Sequence, residues 1–232
     1  MTITTAAVTD LGRVRARNED SFLIDEDASL YAVADGMGGH AAGDVASQTA
    51  VAALRDTFAE TRSVLAAVQS ANRAVIERAA AEPEKTGMGT TMTAAHIRGT
   101  ALLVGHVGDS RLYRLRDGAL QQITRDHTVA QDIIDAGRLT KMDAMQHPAS
   151  SMLTRSLGSR PIVQVDVVED LITAGDLLLL CSDGLTGMIT DADLAAMLGQ
   201  DKTLAQLAHE LVEAANLRGG LDNITALLVR IG

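Results

Sequence analysis

One cysteine, three prolines, no tryptophan and 2% aromatic residues are all that 232 residues offer of the groups that staple, bend or anchor a fold. With Cys181 alone, no internal disulfide can form, which agrees with a reducing compartment. So few rings mean a core assembled from Ala, Leu, Val, Ile and Met within the 47% of hydrophobic residues. Pro83, Pro148 and Pro161 all fall between expected elements. No repeat, low-complexity run or Pro/Ser-rich linker divides the chain, so a single domain over 1–232 is expected. Basic residues are in the minority, 20 Lys and Arg against 30 Asp and Glu, and the net charge of −10 argues against a nucleic-acid partner, which needs a basic face. The most apolar stretch, Leu177 to Cys181, lies between Asp176 and Asp183 and is far shorter than the roughly 20 residues that span a bilayer. No membrane association is expected. The N-terminal MTITTAAVTD has no basic region followed by an apolar run, so a cytoplasmic protein without a secretory signal is expected. The phosphate-loop pattern G-x-x-x-x-G-K-S/T of nucleotide-binding enzymes does not occur.

What is present is a series of short apolar segments bounded by Gly, Asp or Asn. They predict strands over Ile3–Val8, Ser21–Ile24, Leu30–Ala34, Thr90–Ile97, Ala101–Val107, Arg111–Leu115, Val163–Val168, Leu177–Cys181 and Ile224–Val229. Ala-rich helical spacing predicts helices over Asp44–Phe58 and Ser63–Ala81, with shorter ones over His127–Ala136, Asp191–Leu198 and Leu204–Leu217. Thr190 with Asp193 resembles a capping box. Strands in runs and helices in pairs predict an α+β fold of two antiparallel sheets covered by helices. The weakly periodic stretch 138–156 is a flap candidate.

Four aspartates share one setting at or just past the end of an apolar strand: Asp35, Asp109, Asp183 and Asp222. Gathered in one place they would repel each other by several kcal/mol unless cations sat between them. Oxygen-only ligands select Mg²⁺ or Mn²⁺, and no Cys or His cluster has zinc spacing. Glycines in Asp35-Gly36-Met37-Gly38-Gly39-His40 let backbone approach a ligand, with Gly36 as the expected carbonyl donor. Upstream, the run from Gly12 to Asp20 joins Arg13, Arg15 and Arg17, suited to phosphate, to Glu19 and Asp20, suited to a metal or its waters.

Taken in order, GRVRARNED, ADGMGGH, GTT, VGDSR, SDGL and DNIT resemble the metal-dependent protein phosphatases of type 2C in their compact bacterial form, from about Thr9 to Val229. The resemblance implies a four-layer αββα sandwich, two central antiparallel sheets flanked by helices, with a two-metal centre at one end. It implies that Asp35 bridges two Mn²⁺ or Mg²⁺ ions, that Gly36 gives its carbonyl to one, and that Asp183 and Asp222 hold the other. Asp20 would act directly or through water, and Asp109 with Asp183 would bind a third ion. Arg15 matches the family's phosphate-binding arginine. The implied reaction is hydrolysis of phosphoserine and phosphothreonine in proteins, opposing serine/threonine kinases. Two ions about 3.5 to 4 Å apart would share a water that attacks phosphorus as hydroxide. His40 is one candidate general acid, beside a metal-bound water. The chain departs from the family at Met37, where animal members carry a histidine after Asp-Gly. It departs again at His147-Pro148-Ala149-Ser150-Ser151, which lacks the usual Arg-Asn after His-Pro. Phosphorylated proteins are the expected partners, and a monomer is the default.

Other chemistries fare worse on sequence. Gly108-Asp109-Ser110 resembles an esterase nucleophile block, yet no histidine follows Asp222 to serve as its base. A cysteine phosphatase needs Arg six residues after its Cys, and here that position is Gly187. A catalytically dead, phosphoprotein-binding member would be expected to lose some of Arg15, Asp20, Asp35, Asp109, Asp183 and Asp222, all of which are intact. Arg111, His96, His106, His127 and His209 are expected to be structural or surface groups.

Overall fold

The computed structural model describes residues 1–38, 42–138, 140 and 151–232. His40 and most of the flap candidate lie outside the described residues. Strands β1 (Ile3–Asp10), β11 (Ile224–Ile231), β10 (Leu177–Cys181), β7 (Arg111–Arg116) and β8 (Ala119–Gln122) form one antiparallel sheet in that order. The second contains β2 (Asp20–Asp25), β3 (Leu30–Met37), β5 (Met92–Arg98), β6 (Ala101–Val107) and β9 (Asp166–Leu171), with β4 (Gly89–Thr90) paired to β3.

Alternation along the strands builds three apolar layers, because successive side chains point to opposite faces. On β3, Tyr31 and Val33 join Leu112, Leu178, Leu180, Leu227 and Val229 between the two sheets. The other face of β3, Leu30, Ala32 and Ala34, packs on Ala46, Ala50 and Leu54 of helix α1 (Gly43–Thr61) and Ala67, Val68 and Ala71 of α2 (Val64–Ala81). The outer face of the first sheet, including Leu179, Cys181, Ala226 and Leu228, is covered by Leu194 and Leu198 of α5 (Asp191–Leu198) and Leu207, Leu211 and Ala215 of α6 (Leu204–Leu217). The layering is therefore the expected αββα sandwich. Between these lie α3 (Val129–Asp135) and the one-turn α4 (Asp183–Thr186).

Several boundaries differ from expectation. The strand predicted over 90–97 breaks at Thr91, whose amide donates to the Asp35 carbonyl and whose hydroxyl accepts from the Asp35 amide. Strand β9 lies three residues later than predicted, in the register Ala101↔Leu171 that β6 imposes. Strand β8 was not predicted from its polar sequence; its hairpin turn is Asp117-Gly118, both at positive φ, a pair suited to the twist of a two-residue connection. Helix α3 begins two residues later than predicted, at a Thr128 hydroxyl that accepts from the Gln131 amide. At Thr190 only half of a capping box forms: the hydroxyl accepts from the Asp193 amide, but the Asp193 carboxylate is taken by Arg218. The complete box is at Thr203 and Gln206. Among the described residues no helix is long and apolar enough to cross a membrane.

Candidate metal centre

The aspartates are gathered because both sheets end at the same edge of the sandwich. Asp35 lies near the end of β3, Asp109 follows β6, Asp183 opens α4 directly after β10 and Ser182, and Asp222 stands two residues before β11. Together with Arg15 and Gly36 they line one cleft of about 920 Å³. Ser151, Leu153 and Ser156 close one side of it. Among the described residues no three His, Cys, Asp or Glu side chains close into a ready-made cage. An open set of this kind suits hard cations that keep several of their waters.

Asp20 stands apart from that lining. Its register partner across the β2–β3 ladder is Asp35, and its carboxylate is buried. One oxygen, Oδ2, accepts from the hydroxyls of Ser182 at 2.7 Å and Thr225 at 2.6 Å, which fastens β2 to the other sheet. The other oxygen, Oδ1, is buried without a partner, and so is Oδ1 of Asp183. Buried acceptors left unmatched are costly, and two of them in one acidic cluster are what a cation or its waters would satisfy. The donor set therefore fits the implied divalent ions.

The electrostatics agree. Burial, then repulsion from Asp20, Asp183, Asp109 and Asp222, raises the Asp35 carboxyl well above the usual range. Burial, followed by Asp183 and Asp126, does the same to Asp109. Asp183 is raised by burial first and then by Asp222, with Arg111 and Arg15 pulling it down. Asp20 is raised to about 7, chiefly by burial, although Thr225 and Ser182 pull it down.

Gly36 is enforced by its surroundings: a Cβ there would lie 2.1 Å from the Gly43 carbonyl oxygen and 2.6 Å from that of Glu19. Any side chain would push the start of α1 away from the β3 end. Arg15 donates from Nη2 to Asp222 Oδ2 at 2.6 Å, with its side chain half exposed. The loop that carries it is clamped by buried Asn223, which accepts from the Glu19 amide and donates to the carbonyls of Leu11 and Arg17.

Two competing chemistries lose their nucleophiles. Ser110 is fully buried, its Oγ 2.7 Å from the Thr91 hydroxyl, so it cannot meet a substrate. Ser110→Ala should cost about 0.5–1.5 kcal/mol of stability, the net worth of one such bond, and leave turnover within about twofold. Abolished turnover in a folded, metal-replete variant would reinstate the serine. Cys181 is also fully buried, and burial pushes its thiol up to about 12, far from a reactive thiolate. Arg111 is structural as expected, forming a two-pronged pair with Asp126. His96 and His106 are buried and hydrogen-bonded. Thr91, Ser182, Asn223 and Thr225 carry no ionisable group and so do not stand out in the sequence, although each lies within three residues of a motif aspartate or inside the GTT element. Adjacency was the available signal.

Comparison with known proteins meets this geometry. Residues 13–225 match the protein phosphatase 2C family. The serine/threonine phosphatase Stp of Listeria monocytogenes is 40% identical over 234 residues, covering 95% of this chain and 93% of that one. The serine/threonine protein phosphatase PstP of Mycobacterium tuberculosis is 43% identical over 97% of this chain, which spans 44% of that longer protein. The crystal structure of the Mycobacterium tuberculosis phosphatase PstP/Ppp superposes with a TM-score of 0.92 at 42% identity, covering 100% of this chain and 99% of that one. The catalytic domain of PstP in complex with two manganese ions superposes with a TM-score of 0.90 at 40% identity, covering 99% of both chains. A cleft ringed by strand-end aspartates, an αββα frame and matches over nearly the whole length carry one conclusion: the chain belongs to the protein phosphatase 2C family of protein serine/threonine phosphatases.

Proposed function

We propose that this protein removes phosphate from phosphoserine and phosphothreonine in cytoplasmic proteins, opposing a serine/threonine kinase, and that it does so as a monomer. The observation that carries the reading is the meeting of four strand-end aspartates, drawn from both sheets, with one arginine on one open cleft. Asp35, Gly36, Asp183 and Asp222 would hold two Mn²⁺ or Mg²⁺ ions, and Asp109 with Asp183 a third. When bound, such ions supply a water activated for in-line attack and offset the negative charge of the phosphoryl group.

The chain's own groups do the rest. Asp20 sets the position of Asp35 from behind, through its ladder partnership and its two hydroxyl donors on the opposite sheet. Arg15 turns from Asp222 to the non-bridging oxygens of the phosphate, where a guanidinium fork makes two parallel bonds. Protonation of the departing alkoxide is assigned to His40 or to a water held by the ions. The direct test is release of inorganic phosphate from a phosphothreonine peptide by Mn²⁺-supplemented protein; absence of release under metal saturation would overturn the reading.

Arg15→Ala should raise KM for that peptide roughly 10- to 100-fold, since a hydrogen bond to a charged group is worth about 1.5–3 kcal/mol. Stability should change by less than about 1 kcal/mol, because the Arg15–Asp222 pair is solvent-exposed. Arg15→Lys should recover only part of the KM, because a point charge cannot fork. An unchanged KM in Arg15→Ala would move phosphate binding to Arg13 or Arg17.

A further inference from the structure

We propose that His127 is a positioning residue for the phosphatase reaction: its ring holds the loop that presents Asp109 to the cleft and ties that loop to the segment 151–157 bordering the same cleft. The proposal rests on the reading of Asp109 as a working member of the metal centre.

Nothing in the reaction as described so far uses His127, although it is fully buried and every polar atom of it is engaged. The Gly108 amide donates to His127 Nδ1 at 3.1 Å, and the His127 amide donates back to the Gly108 carbonyl at 2.8 Å. Gly108, immediately before Asp109, is thus gripped on both its polar groups by one residue. It also sits at a φ of +110, where a Cβ would come within 2.6 Å of the Thr91 side chain. The approach of Asp109 to the cleft is therefore defined by Gly108, and Gly108 by His127.

The ring's other nitrogen reaches the opposite way. A backbone amide can only donate, so Nδ1 accepts and the proton resides on Nε2, which donates to Asp166 Oδ2 at 3.0 Å. Burial pulls the imidazole below its ordinary value, in keeping with a neutral ring. Arg155 donates to the second oxygen of Asp166 at 2.5 Å. The Thr154 amide donates to the His127 carbonyl at 2.8 Å, and Thr128 bridges to Leu153. Leu153 and Ser156 of that segment line the cleft alongside Asp109. One imidazole therefore stands between an acidic residue of the centre and the cleft wall that a phosphopeptide would meet.

Two substitutions separate the two ring bonds. His127→Asn keeps an acceptor near the place of Nδ1 and cannot reach Asp166. His127→Gln reaches towards Asp166 and leaves the Gly108 amide unmatched. Supporting groups one step behind a metal site cost about 10- to 100-fold when removed. His127→Gln should therefore lower kcat on an aryl phosphate about 10-fold or more with KM unchanged, while His127→Asn retains most of it. In an Asp109→Ala background, His127→Gln should cost nothing further, because residues acting through one another are not additive.

An independent readout needs neither ion nor turnover. In the chelator-stripped protein the Gly108 amide should exchange slowly with solvent, remain slow in His127→Asn and accelerate at least tenfold in His127→Gln. Fast exchange of Gly108 in the unsubstituted protein would overturn the proposal without any variant. So would equal losses in the Asn and Gln variants, or the same loss from His127→Gln with and without Asp109. Wild-type turnover in Asp109→Ala alone would instead overturn the role given to Asp109, and the positioning role with it, even with Gly108 protected as expected.

Discussion

Asp35→Asn is expected to lower turnover of a phosphothreonine peptide by more than about 100-fold, exceeding the 10- to 100-fold that groups one step behind a metal typically carry. Divalent-ion uptake measured by calorimetric titration should fall with it. The reason lies in where Asp35 stands: across a ladder from Asp20 and repelled by Asp20, Asp183, Asp109 and Asp222. The same crowding makes the substitution mild for the fold. An uncharged amide relieves repulsion in the metal-free protein, so Asp35→Asn without ions should melt no lower than the unsubstituted chain. That combination, lost metal and lost turnover with stability kept, separates a ligand from a structural residue. Unchanged metal affinity would remove Asp35 from the centre.

Chelation should be as severe, and it should expose the cluster's own titration. Without ions, turnover is expected to fall below about one-hundredth and to return with Mn²⁺ or Mg²⁺, because oxygen-only sites that retain waters release these ions readily. Stability then depends on pH in a direction that follows from the shifts. Asp20 is raised to about 7, Asp35 and Asp109 are raised well above their ordinary value and Asp183 is raised, whereas in the unfolded chain all titrate near 3.9. Between those limits the folded state binds more protons than the unfolded one, so stability falls as pH rises. His96, His127 and His106, the last lowered to about 4, act in the opposite sense, most strongly below about 6.5, where histidines of the unfolded chain take up protons, and less and less above it. From pH 6.5 to 8 that opposing contribution fades and the raised carboxylates set the sign. The metal-free Tm should drop by at least about 2 °C over that window, given some 2–4 °C per kcal/mol for a chain of this size. Saturating Mn²⁺ should flatten the slope, since cations replace the protons. A metal-free Tm that is flat or rises from pH 6.5 to 8 would contradict the repulsion on which the centre is argued.

Much of this was legible because it is local. Apolar runs closed by Asp-Gly or Asp-Ser, or opened just after Asp-Asn, mark strand ends from a few residues alone, and so Asp35, Asp109, Asp183 and Asp222 could be named before any strand was placed beside another. The pairing of helices and clustering of strands likewise indicated two sheets under helical cover. Errors fell where a neighbour rather than the segment sets the outcome. Strand β9 follows the register of β6, the break at Thr91 follows its bonds to Asp35, and Asp193 chose Arg218 over its own helix end.

Depth in the site was hidden for the same reason. Asp20 and Asp35 look equivalent as carboxylates of a motif. Pairing of β2 with β3, and the contact of β2 with Ser182 and Thr225 on the other sheet, put one behind and the other in front. Ser110 looks like a nucleophile until Thr91 is found against it, and His127 looks like any core histidine until its two nitrogens are traced to Gly108 and Asp166. Sequence alone determined which side chains are candidates for the chemistry, since composition and strand-end position are properties of a segment. Only the tertiary structure decided which of them face the cleft, which stand behind it and which hold the loops in place, since those are properties of contacts between residues as far apart as Asp20 and Thr225.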